Sequence, residues 1–423
     1  MKKALAVMLS LCLACLASGC GPAVTRSRDE SRPLTLNIAS YFSGEHAAQT
    51  YQELSNRFAE DQGIDIVDSS TLTGDAFTQQ IINDFAAGNE PDVFYFPVGD
   101  AQTMIDNNQV VSVQEICREY PQYAANIQSS IMDDLADENG NNWCVPVIGR
   151  YQALYCNVSL FETYGAPLPH TWGDLLSAIE IFKQNDVIPI AMGFKDQTAL
   201  WVDQLILSYG VDEHEASPTD AADVPTTWNQ ALAQLVSLEA SGAFPSNALT
   251  SNRSTALTLF NTQKAAMYLD FSDSVSSISI PNTVVASAFP CRAPHSGEDH
   301  LIIQVSYGYY ISRKTWENEA LRDAAVSFVM YMSSSDAIAH MNEDGGGYPT
   351  ILLESLDPIS GQGTLAQSAL SLCRRAQAHY SMKERLSRLA WSSLVAAVEP
   401  IIQGYGSIPK TLDQLAINNR APK

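Results

Sequence analysis

Aromatic side chains and planar polar side chains follow the ends of several predicted strands. The candidate ligand-binding residues of this kind are Tyr41, Phe42, Glu45, Asp75, Phe96, Arg150, Tyr151, Asp196, Trp201, Asp270 and Asp273. A neutral sugar presents hydroxyl groups and apolar ring faces, so its site needs rings to stack on and carboxylate, amide or guanidinium groups to hydrogen-bond the hydroxyls. An amino acid or an anion would instead need a fixed counter-charge. The mixture therefore favours an uncharged, hydroxylated ligand.

Each of these residues also has a purely structural interpretation. Tyr41 and Phe42 either contact a ligand or cover the first half of the fold, and their position in a loop makes the two interpretations equally good. Arg150 either donates to a hydroxyl group or forms a structural salt bridge. Trp201 either stacks on a sugar ring or packs in the core. The sequence leaves these alternatives open.

Other candidate sites carry weaker signals. The polar loop from His295 to His300 holds two imidazoles and two carboxylates without zinc-like spacing, so we expect it to be solvated and to bind no metal. Asp137 begins a stretch similar to a calcium loop, but Ile148 occupies the position of the essential Glu, which favours a turn. Residues 345–348 lack the Lys-Ser/Thr ending of a phosphate loop and indicate a turn. We predict no catalytic residues and no cofactor, because the hydrolase and dinucleotide motifs are missing from the sequence.

The N-terminal residues predict secretion and lipid attachment. Lys2 and Lys3 precede an apolar run over 4–16, which is the pattern of a signal peptide and is short for a membrane span. The run ends in Ala17, Ser18 and Gly19 before Cys20, which resembles the bacterial lipobox and implies that Cys20 is lipidated. Residues 1–19 are thus the predicted signal peptide. Residues 20–33 are polar and bracketed by prolines, so we predict a flexible tether.

The 423-residue chain is acidic and rich in apolar residues. It has 46% hydrophobic residues, 24 Lys and Arg, 47 Asp and Glu, and a net charge of −23. Cleavage after residue 19 would leave 22 basic against 47 acidic residues, a charge of −25. Such a chain can build packed cores, but nucleic acid is a poor partner and anionic lipid is repelled, so the acyl chains would be the only membrane anchor.

The cysteines of the predicted mature body suggest no chemistry. They are Cys117, Cys144, Cys156, Cys291 and Cys373. An odd number cannot all pair, and one or two disulfides remain possible outside the cytosol, with Cys144 and Cys156 the closest in sequence. Dispersed cysteines in a body of this size more often behave as small apolar residues.

The order of elements predicts an α/β fold. Strands are predicted over 34–39, 64–69 and 91–96, with helices over 46–61 and 75–87 between them. The third strand is apolar on both faces, as a central parallel strand is. This alternation predicts a doubly wound sheet flanked by helices.

The same order recurs beyond Asn157. The second unit has helices over 171–184, 199–209, 227–241 and 254–262 and strands over 188–192 and 265–269. Further strands are predicted over 284–289 and 301–311, and helices over 318–333, 365–379 and 386–403. Residues 143–155 indicate an extended connection. Two such units leave a cleft between their strand ends, where α/β sheets bind ligands.

Several motifs in order resemble the extracellular solute-binding proteins of ABC importers, in the sugar-binding group that includes maltose-binding protein. They are FAAGNEPDVF over 85–94, WCVPV over 143–147, LYCN over 154–157, KAAMYLD over 264–270, YGYYIS over 307–312 and GYP over 347–349. The resemblance extends from about residue 36 to about residue 410 and implies a two-lobed clamp, in which the chain crosses between lobes three times. It implies a first lobe of residues 34–149 plus 287–335 and a second lobe of 150–286 plus 336–423.

The same resemblance adds Trp391 as a stacking residue, and the predicted flexible turn over 345–348 adds Tyr348 at the cleft rim. Where maltose-binding protein has another stacking Trp, this chain has Asp273, which argues against maltodextrin as the ligand. The favoured hypothesis is a monomeric, extracytoplasmic lipoprotein that captures a sugar, preferably an oligosaccharide, and delivers it unchanged to an ABC permease. The alternatives are a non-sugar solute, a surface glycoside hydrolase with paired carboxylates, and a sensory partner of a membrane receptor.

Overall fold

The computed structural model describes residues 33–42, 45–70, 74–353 and 363–421, and for residues 45–47 it describes the backbone alone. The predicted signal peptide, Cys20 and residues 20–32 of the predicted tether lie outside the described residues. Within the described part of the chain, no helix has the length and apolar character needed to cross a bilayer.

The strands of the described residues are β1 (Thr35–Ala39), β2 (Asp65–Asp68), β3 (Val93–Pro97), β4 (Ile148–Asn157), β5 (Ile188–Ala191), β6 (Ala265–Phe271), β7 (Val284–Ser287), β8 (His300–Gln304), β9 (Tyr307–Ile311), β10 (Tyr348–Pro349) and β11 (Gln377–Tyr380). The helices are α1 (Glu45–Gln62), α2 (Gly74–Ala87), α3 (Gln102–Asp106), α4 (Val113–Glu119), α5 (Ser129–Asp134), α6 (Val158–Tyr164), α7 (Trp172–Gln184), α8 (Phe194–Tyr209), α9 (Val211–His214), α10 (Thr226–Ala240), α11 (Arg253–Asn261), α12 (Arg313–Trp316), α13 (Glu319–Met332), α14 (Ser335–Met341), α15 (Thr364–Arg375), α16 (Met382–Arg385), α17 (Arg388–Ile402) and α18 (Ile408–Asn418).

The first sheet has the strand order β2-β1-β3-β9. Its first three strands run parallel, and β9 joins antiparallel to β3, with Val93 opposite Ile311 and Pro97 opposite Tyr307. Four of the five residues of β3 are buried, which confirms the prediction of a central strand from a run apolar on both faces. The antiparallel partner brings the start of β9 to the same sheet edge as the end of β3.

The second sheet has the order β11-β8-β4-β6-β5, and β7 and β10 also pair with β4. Its centre is the ten-residue strand β4, whose last seven residues are all buried. Strand β6 is buried over Ala265–Asp270 and pairs parallel with β5. The predicted α/β architecture with two sheets is therefore confirmed.

Extended segments carry the chain between the sheets. Val145 bridges to Tyr309 of the first sheet, and β4 begins three residues later in the second. Strand β8 pairs with β4 and β9 pairs with β3, so the chain returns at residues 305–306. A third segment pairs Tyr348 with Gly149 and bridges Ile351 to Ile127.

Two predicted elements differ from the structure by more than a shift of their ends. The single strand predicted over 301–311 is two strands in different sheets, which moves the change of sheet from the predicted residue 287 to residues 305–306. The helix predicted over 365–379 ends at Arg375, and the edge strand β11 follows, parallel to β8. The division of the chain into lobes otherwise remains a prediction.

Candidate functional site

A cavity of about 560 Å³ lies between the two sheets. Its lining residues come from the loop after β1, from the middle of β3, from the beginnings of α2, β4 and β9, from the end of β8, and from the turns that follow β6 and α14. They are Tyr41, Phe42, Gly74, Tyr95, Ile148, Gly149, Arg150, Ser272, Asp273, Ser276, Gln304, Ser306, Tyr307, Met341, Asp344, Gly346 and Gly347. The cavity is thus built by strand termini, as expected for ligand sites in α/β folds.

One side of the cavity is an aromatic wall that belongs to the first sheet. The Phe42 ring stacks on Tyr95 with centroids 4.5 Å apart and planes at 10°, and Tyr95 stacks on Tyr307 at 5.7 Å and 25°. Tyr41 lines the same side. The pairing of Pro97 with Tyr307 explains why rings from β3 and β9 meet here. Stacked rings present flat apolar surfaces suited to the faces of a sugar.

The opposite side is a polar wall that belongs to the second sheet. Arg150 donates from Nε and Nη2 to Gln304 Oε1 at 2.9 and 2.6 Å, and from Nη1 to Asp273 Oδ2 at 3.4 Å. Its guanidinium carbon lies 4.0 Å from the centroid of the Phe271 ring. These contacts hold a planar donor group at the cavity surface, where 41% of the Arg150 side chain remains exposed.

A second arginine, Arg253, also binds the carboxylate of Asp273. Arg253 donates from Nη2 to Asp273 Oδ1 and from Nε to Asp270 Oδ2, both at 2.6 Å. Asp270 also accepts hydrogen bonds from the Tyr268 hydroxyl and from the Phe271 backbone amide. Burial raises the pKa of Asp270, and the adjacent Arg253 opposes that rise. The two arginines leave Asp273 with a defined orientation toward the cavity.

The turn after α14 closes the third side. Gly346 N donates to Asp344 Oδ1 at 2.8 Å, and Gly347 N donates to Asn342 Oδ1 at 2.7 Å. The Tyr151 hydroxyl donates to the Gly345 carbonyl at 2.8 Å from within the core. Gly345 has a φ of +79°, which explains the glycine at that position. The predicted turn therefore holds its shape through side-chain hydrogen bonds.

The structure brings four of the predicted site residues together in the cavity wall, namely Tyr41, Phe42, Arg150 and Asp273. Asp75 is exposed beside the lining residue Gly74, and Asp196 is exposed at the start of α8, where it accepts a hydrogen bond from Arg253 N. The side chain of Glu45 lies outside the described residues. The other predicted residues are buried and are absent from the described cavity lining: Phe96, Tyr151, Trp201, Asp270, Tyr348 and Trp391.

The two tryptophans are core residues of the second sheet's helical layer. Trp201 is fully buried, with Phe244 at 4.9 Å and Phe289 at 5.7 Å between ring centroids. Trp391 belongs to the same hydrophobic cluster and is 9% exposed. Of the two interpretations of Trp201, the structure supports packing in the core. Trp391 likewise packs in the core and is not among the residues of the described cavity wall.

Sequence reasoning missed Tyr95, Gln304, Tyr307 and Asp344 as lining residues. Tyr95 lies in a strand that the sequence assigns to the core, and it is indeed only 4% exposed. Gln304 and Tyr307 flank the exposed Ser306, which interrupts an otherwise buried run. This polar residue is the feature of the sequence that could have indicated that the chain passes from one sheet to the other here, and therefore that an edge of the cavity lies at this point.

The loop before β8 is exposed over residues 296–298, as predicted, but it leads into a buried histidine at the start of the strand. His300 is 1% exposed, and its Nε2 lies 3.3 Å from Glu298 Oε2. His295 Nδ1 lies 2.9 Å from the same oxygen. The ligand-type atoms of these three residues all lie within 4.8 Å of one another. Folding of the loop, which sequence spacing does not reveal, brings them together.

The five cysteines of the body are free, and all but Cys117 are buried. Burial raises the pKa of Cys144 and of Cys291 to about 12. These thiols therefore lie in the core as small apolar groups.

A sequence-family model described as bacterial extracellular solute-binding protein matches residues 43–339. A search of curated protein sequences found no match.

Solved structures share the fold at low sequence identity. A probable secreted solute-binding lipoprotein from Streptomyces coelicolor is 18% identical, with a TM-score of 0.78 over 93% of this chain and 100% of that one. RafE from Streptococcus pneumoniae, in its apo form, is 15% identical, with a TM-score of 0.73 over 92% and 99%. A sugar transporter from Bacillus licheniformis in complex with stachyose is 16% identical, with a TM-score of 0.60 over 91% and 98%. These similarities establish a two-lobed α/β fold.

Proposed function

Because the chain belongs to the bacterial extracellular solute-binding protein family, we propose that it captures a carbohydrate, preferably an oligosaccharide, in the cavity between its two sheets. The observation that carries this proposal is the pairing of an aromatic wall on the first sheet with a polar wall on the second. A sugar ring has apolar faces and a polar rim, so it fits between two such walls.

The cavity wall supports individual roles. Tyr41, Phe42 and Tyr307 would contact the sugar faces, because their rings line the aromatic side. Arg150 and Asp273 would hydrogen-bond the hydroxyl groups. Each already has protein partners that fix its orientation, which reduces the loss of conformational entropy on binding.

Structural relatives support the same ligand class. RafE has been solved in complex with raffinose, and the Bacillus licheniformis protein with stachyose. Both sugars are oligosaccharides, and both proteins share the fold of this chain at 14% and 16% identity. The lining residues, rather than the fold, carry the proposal for this chain.

The proposed cellular role is delivery of the unchanged sugar to an ABC permease. The protein would be held outside the cytoplasm by lipid on Cys20, with residues 20–33 as the tether. Its negative charge favours attachment through acyl chains alone. Measurement of protein mass after expression with and without the Cys20→Ala change tests the anchor, because only the parent chain would gain the lipid.

Thermal unfolding and isothermal titration against mono- and oligosaccharides test the ligand class. A bound sugar at 100 times its dissociation constant should stabilise the protein by about 2.7 kcal/mol. Spermidine, a polyol phosphate, short peptides and amino acids complete the panel. Stabilisation by one of these compounds and by no sugar would contradict the proposal.

Substitution of Arg150 tests the site itself. Lys cannot reproduce the two hydrogen bonds to Gln304 or the guanidinium stacking on Phe271, so Arg150→Lys should weaken sugar binding about tenfold or more in a protein that still folds. Arg118→Lys is the matched control, since Arg118 is exposed on α4. Equal affinities in the two variants would remove Arg150 from the site.

The hydrolase alternative predicts consumption of the ligand. A glycosidase needs one carboxyl group that donates a proton and a second that attacks or activates water. Of the carboxylates in the described cavity wall, Asp273 accepts from two guanidinium groups and Asp344 accepts from a backbone amide. We expect the oligosaccharide to be recovered intact by chromatography after prolonged incubation, and shortened products would support the hydrolase.

A further inference from the structure

A cluster of two imidazoles and one carboxylate lies at the start of β8, at the opposite end of that strand from the cavity. His295 Nδ1 and His300 Nε2 both face Glu298 Oε2, at 2.9 and 3.3 Å. His300 begins β8 and Gln304 ends it, so about 13 Å of strand separates the cluster from the cavity wall.

We propose that His295, Glu298 and His300 form a binding site for a divalent transition-metal cation of the zinc class. Imidazole nitrogen and carboxylate oxygen are ligands that zinc accepts, and three protein ligands with a water molecule complete a tetrahedral set. This site is separate from the proposed sugar site and does not depend on it.

The atomic separations are close to those that a bound cation requires. Zinc bonds of 2.0–2.2 Å in tetrahedral geometry place neighbouring ligand atoms about 3.4 Å apart. The three ligand atoms already lie within 4.8 Å of one another. The side chains of His295 and Glu298 are 27% and 59% exposed, so both can rotate to close the remaining gap and a water molecule can reach the fourth position.

The buried ligand is held by a second histidine. His300 Nδ1 lies 3.0 Å from His379 Nε2 on the neighbouring strand β11. When His300 Nε2 binds a cation, its Nδ1–H can donate to His379. Ligating histidines usually make such a second hydrogen bond, which fixes the tautomer and the ring orientation. His379 Nδ1 in turn faces Glu215 Oε1 at 3.6 Å.

The charges around the cluster favour a cation. Among the described residues, the ion pairs of Glu298 are with the two histidines alone, whereas neighbouring Asp299 pairs with Arg375 and Glu215 with Arg385. The hydrogen bonds from His295 and His300 lower the pKa of Glu298, and burial lowers the pKa of His300. A carboxylate beside a neutral imidazole is the protonation state that binds a metal.

Titration of the chelator-treated protein with ZnCl₂ tests the proposal. We expect one saturable site per chain. Glu298→Gln and His295→Ala should each weaken zinc affinity at least about tenfold, and His379→Gln should weaken it about 10- to 100-fold through the second hydrogen bond. His340→Ala is the matched control, because His340 is an exposed histidine on α14 outside the cluster.

Cobalt provides a second readout. Co²⁺ in a site with nitrogen and oxygen ligands should give visible ligand-field absorption that Zn²⁺ displaces, and Glu298→Gln should abolish it. Both ligand variants change partly exposed side chains, so unfolding curves in chelator should match those of the parent protein. Zinc binding that is absent from the parent, or equal in the parent and both ligand variants, would overturn the proposal.

Discussion

Tyr307 joins the aromatic stack to the cavity surface. Its ring stacks on Tyr95, which stacks on Phe42, and burial raises its pKa. Replacement by Ala should remove one flat surface from the proposed sugar site while leaving the buried rings in place.

We therefore predict that Tyr307→Ala weakens sugar binding about tenfold, which corresponds to about 1.4 kcal/mol. Tyr307→Phe should retain most of the affinity, because it keeps the ring. Isothermal titration measures both, with Tyr405→Ala as the control for an exposed tyrosine elsewhere in the chain. An Ala variant that binds as tightly as the parent would show that the stack serves packing only.

His379 predicts a pH dependence of stability. Burial, with His214 and His300 nearby, lowers its pKa to about 4, and Glu215 opposes this change. An imidazole in the unfolded chain titrates near 6.5, so between these values the unfolded chain binds more protons than the folded one. The free energy of unfolding should therefore fall as the pH falls through this window.

Urea unfolding in chelator should show a loss of about 2 kcal/mol from His379 between about pH 7.5 and pH 5. His379→Gln removes this titration, so its stability should change less over the same range. His340→Gln should keep the slope of the parent protein, because its exposed side chain lies on α14. Identical slopes for parent and His379→Gln would place the acid sensitivity in other groups.

Four residues of the cavity wall were predictable, because loops that follow strands and the extended connection between the two units can be recognised in the sequence. Tyr41 and Phe42 follow β1, Asp273 follows β6, and Arg150 lies near the start of β4. All four line the cavity. The sequence could not decide between a ligand-stacking and a core-packing role for Trp201, because α8 is buried on almost all sides and its apolar pattern therefore indicates no preferred face. Direction of a side chain within a fully buried helix depends on tertiary packing, which spacing alone does not encode.

At the scale of elements, the predicted strands and helices agree with the structure where each has its own periodicity and caps. Helix α7 begins at a capping box of Thr171 and Asp174, and α13 begins after Asn318, whose side chain accepts from Ala320 N. The segment over 301–311 reads as one strand because the sequence does not show which strands pair, and one polar residue, Ser306, is a weak sign of a break. Strand β11 was missed because its two exposed residues, Gln377 and Ala378, gave no alternation.

The start of α8 depends on a close backbone approach at Gly193. A Cβ at this position would lie 2.5 Å from the carbonyl carbon and oxygen of Asn252, which caps α11 and precedes Arg253. Gly193→Ala must therefore push apart α8 and the residue that positions Arg253. We predict a loss of about 1–3 kcal/mol in the free energy of unfolding, together with weaker sugar binding.

Gly173→Ala is the matched control. Gly173 lies within α7, and its nearest contact for an added Cβ is Thr171 Oγ1 at 3.7 Å. Ala is the better helix former by about 0.5–1 kcal/mol, so this variant should be as stable as the parent or more so. Urea unfolding compares the two variants. Equal stability of both would show that the backbones of Gly193 and Asn252 can move apart with no loss in the free energy of unfolding.

At the scale of the whole molecule, the two walls of the cavity belong to different sheets. Extended segments at residues 145–147, 305–306 and 348–351 connect those sheets. A sugar that contacts the rings of the first sheet and the polar groups of the second gains most when the walls approach each other. Binding should therefore favour a more closed arrangement.

Small-angle scattering tests this expectation directly. A chain of 423 residues should have a radius of gyration near 22 Å, and saturation with the sugar identified by titration should lower it by a few per cent. A sugar from the panel that does not bind controls for solvent contrast. Tyr307→Ala, examined at a sugar concentration raised to restore saturation, should still close, because Arg150 and Asp273 remain on the opposite wall. A radius that stays constant while titration shows full occupancy would mean that the cavity binds as a rigid site, and a permease would then have no change of shape to detect.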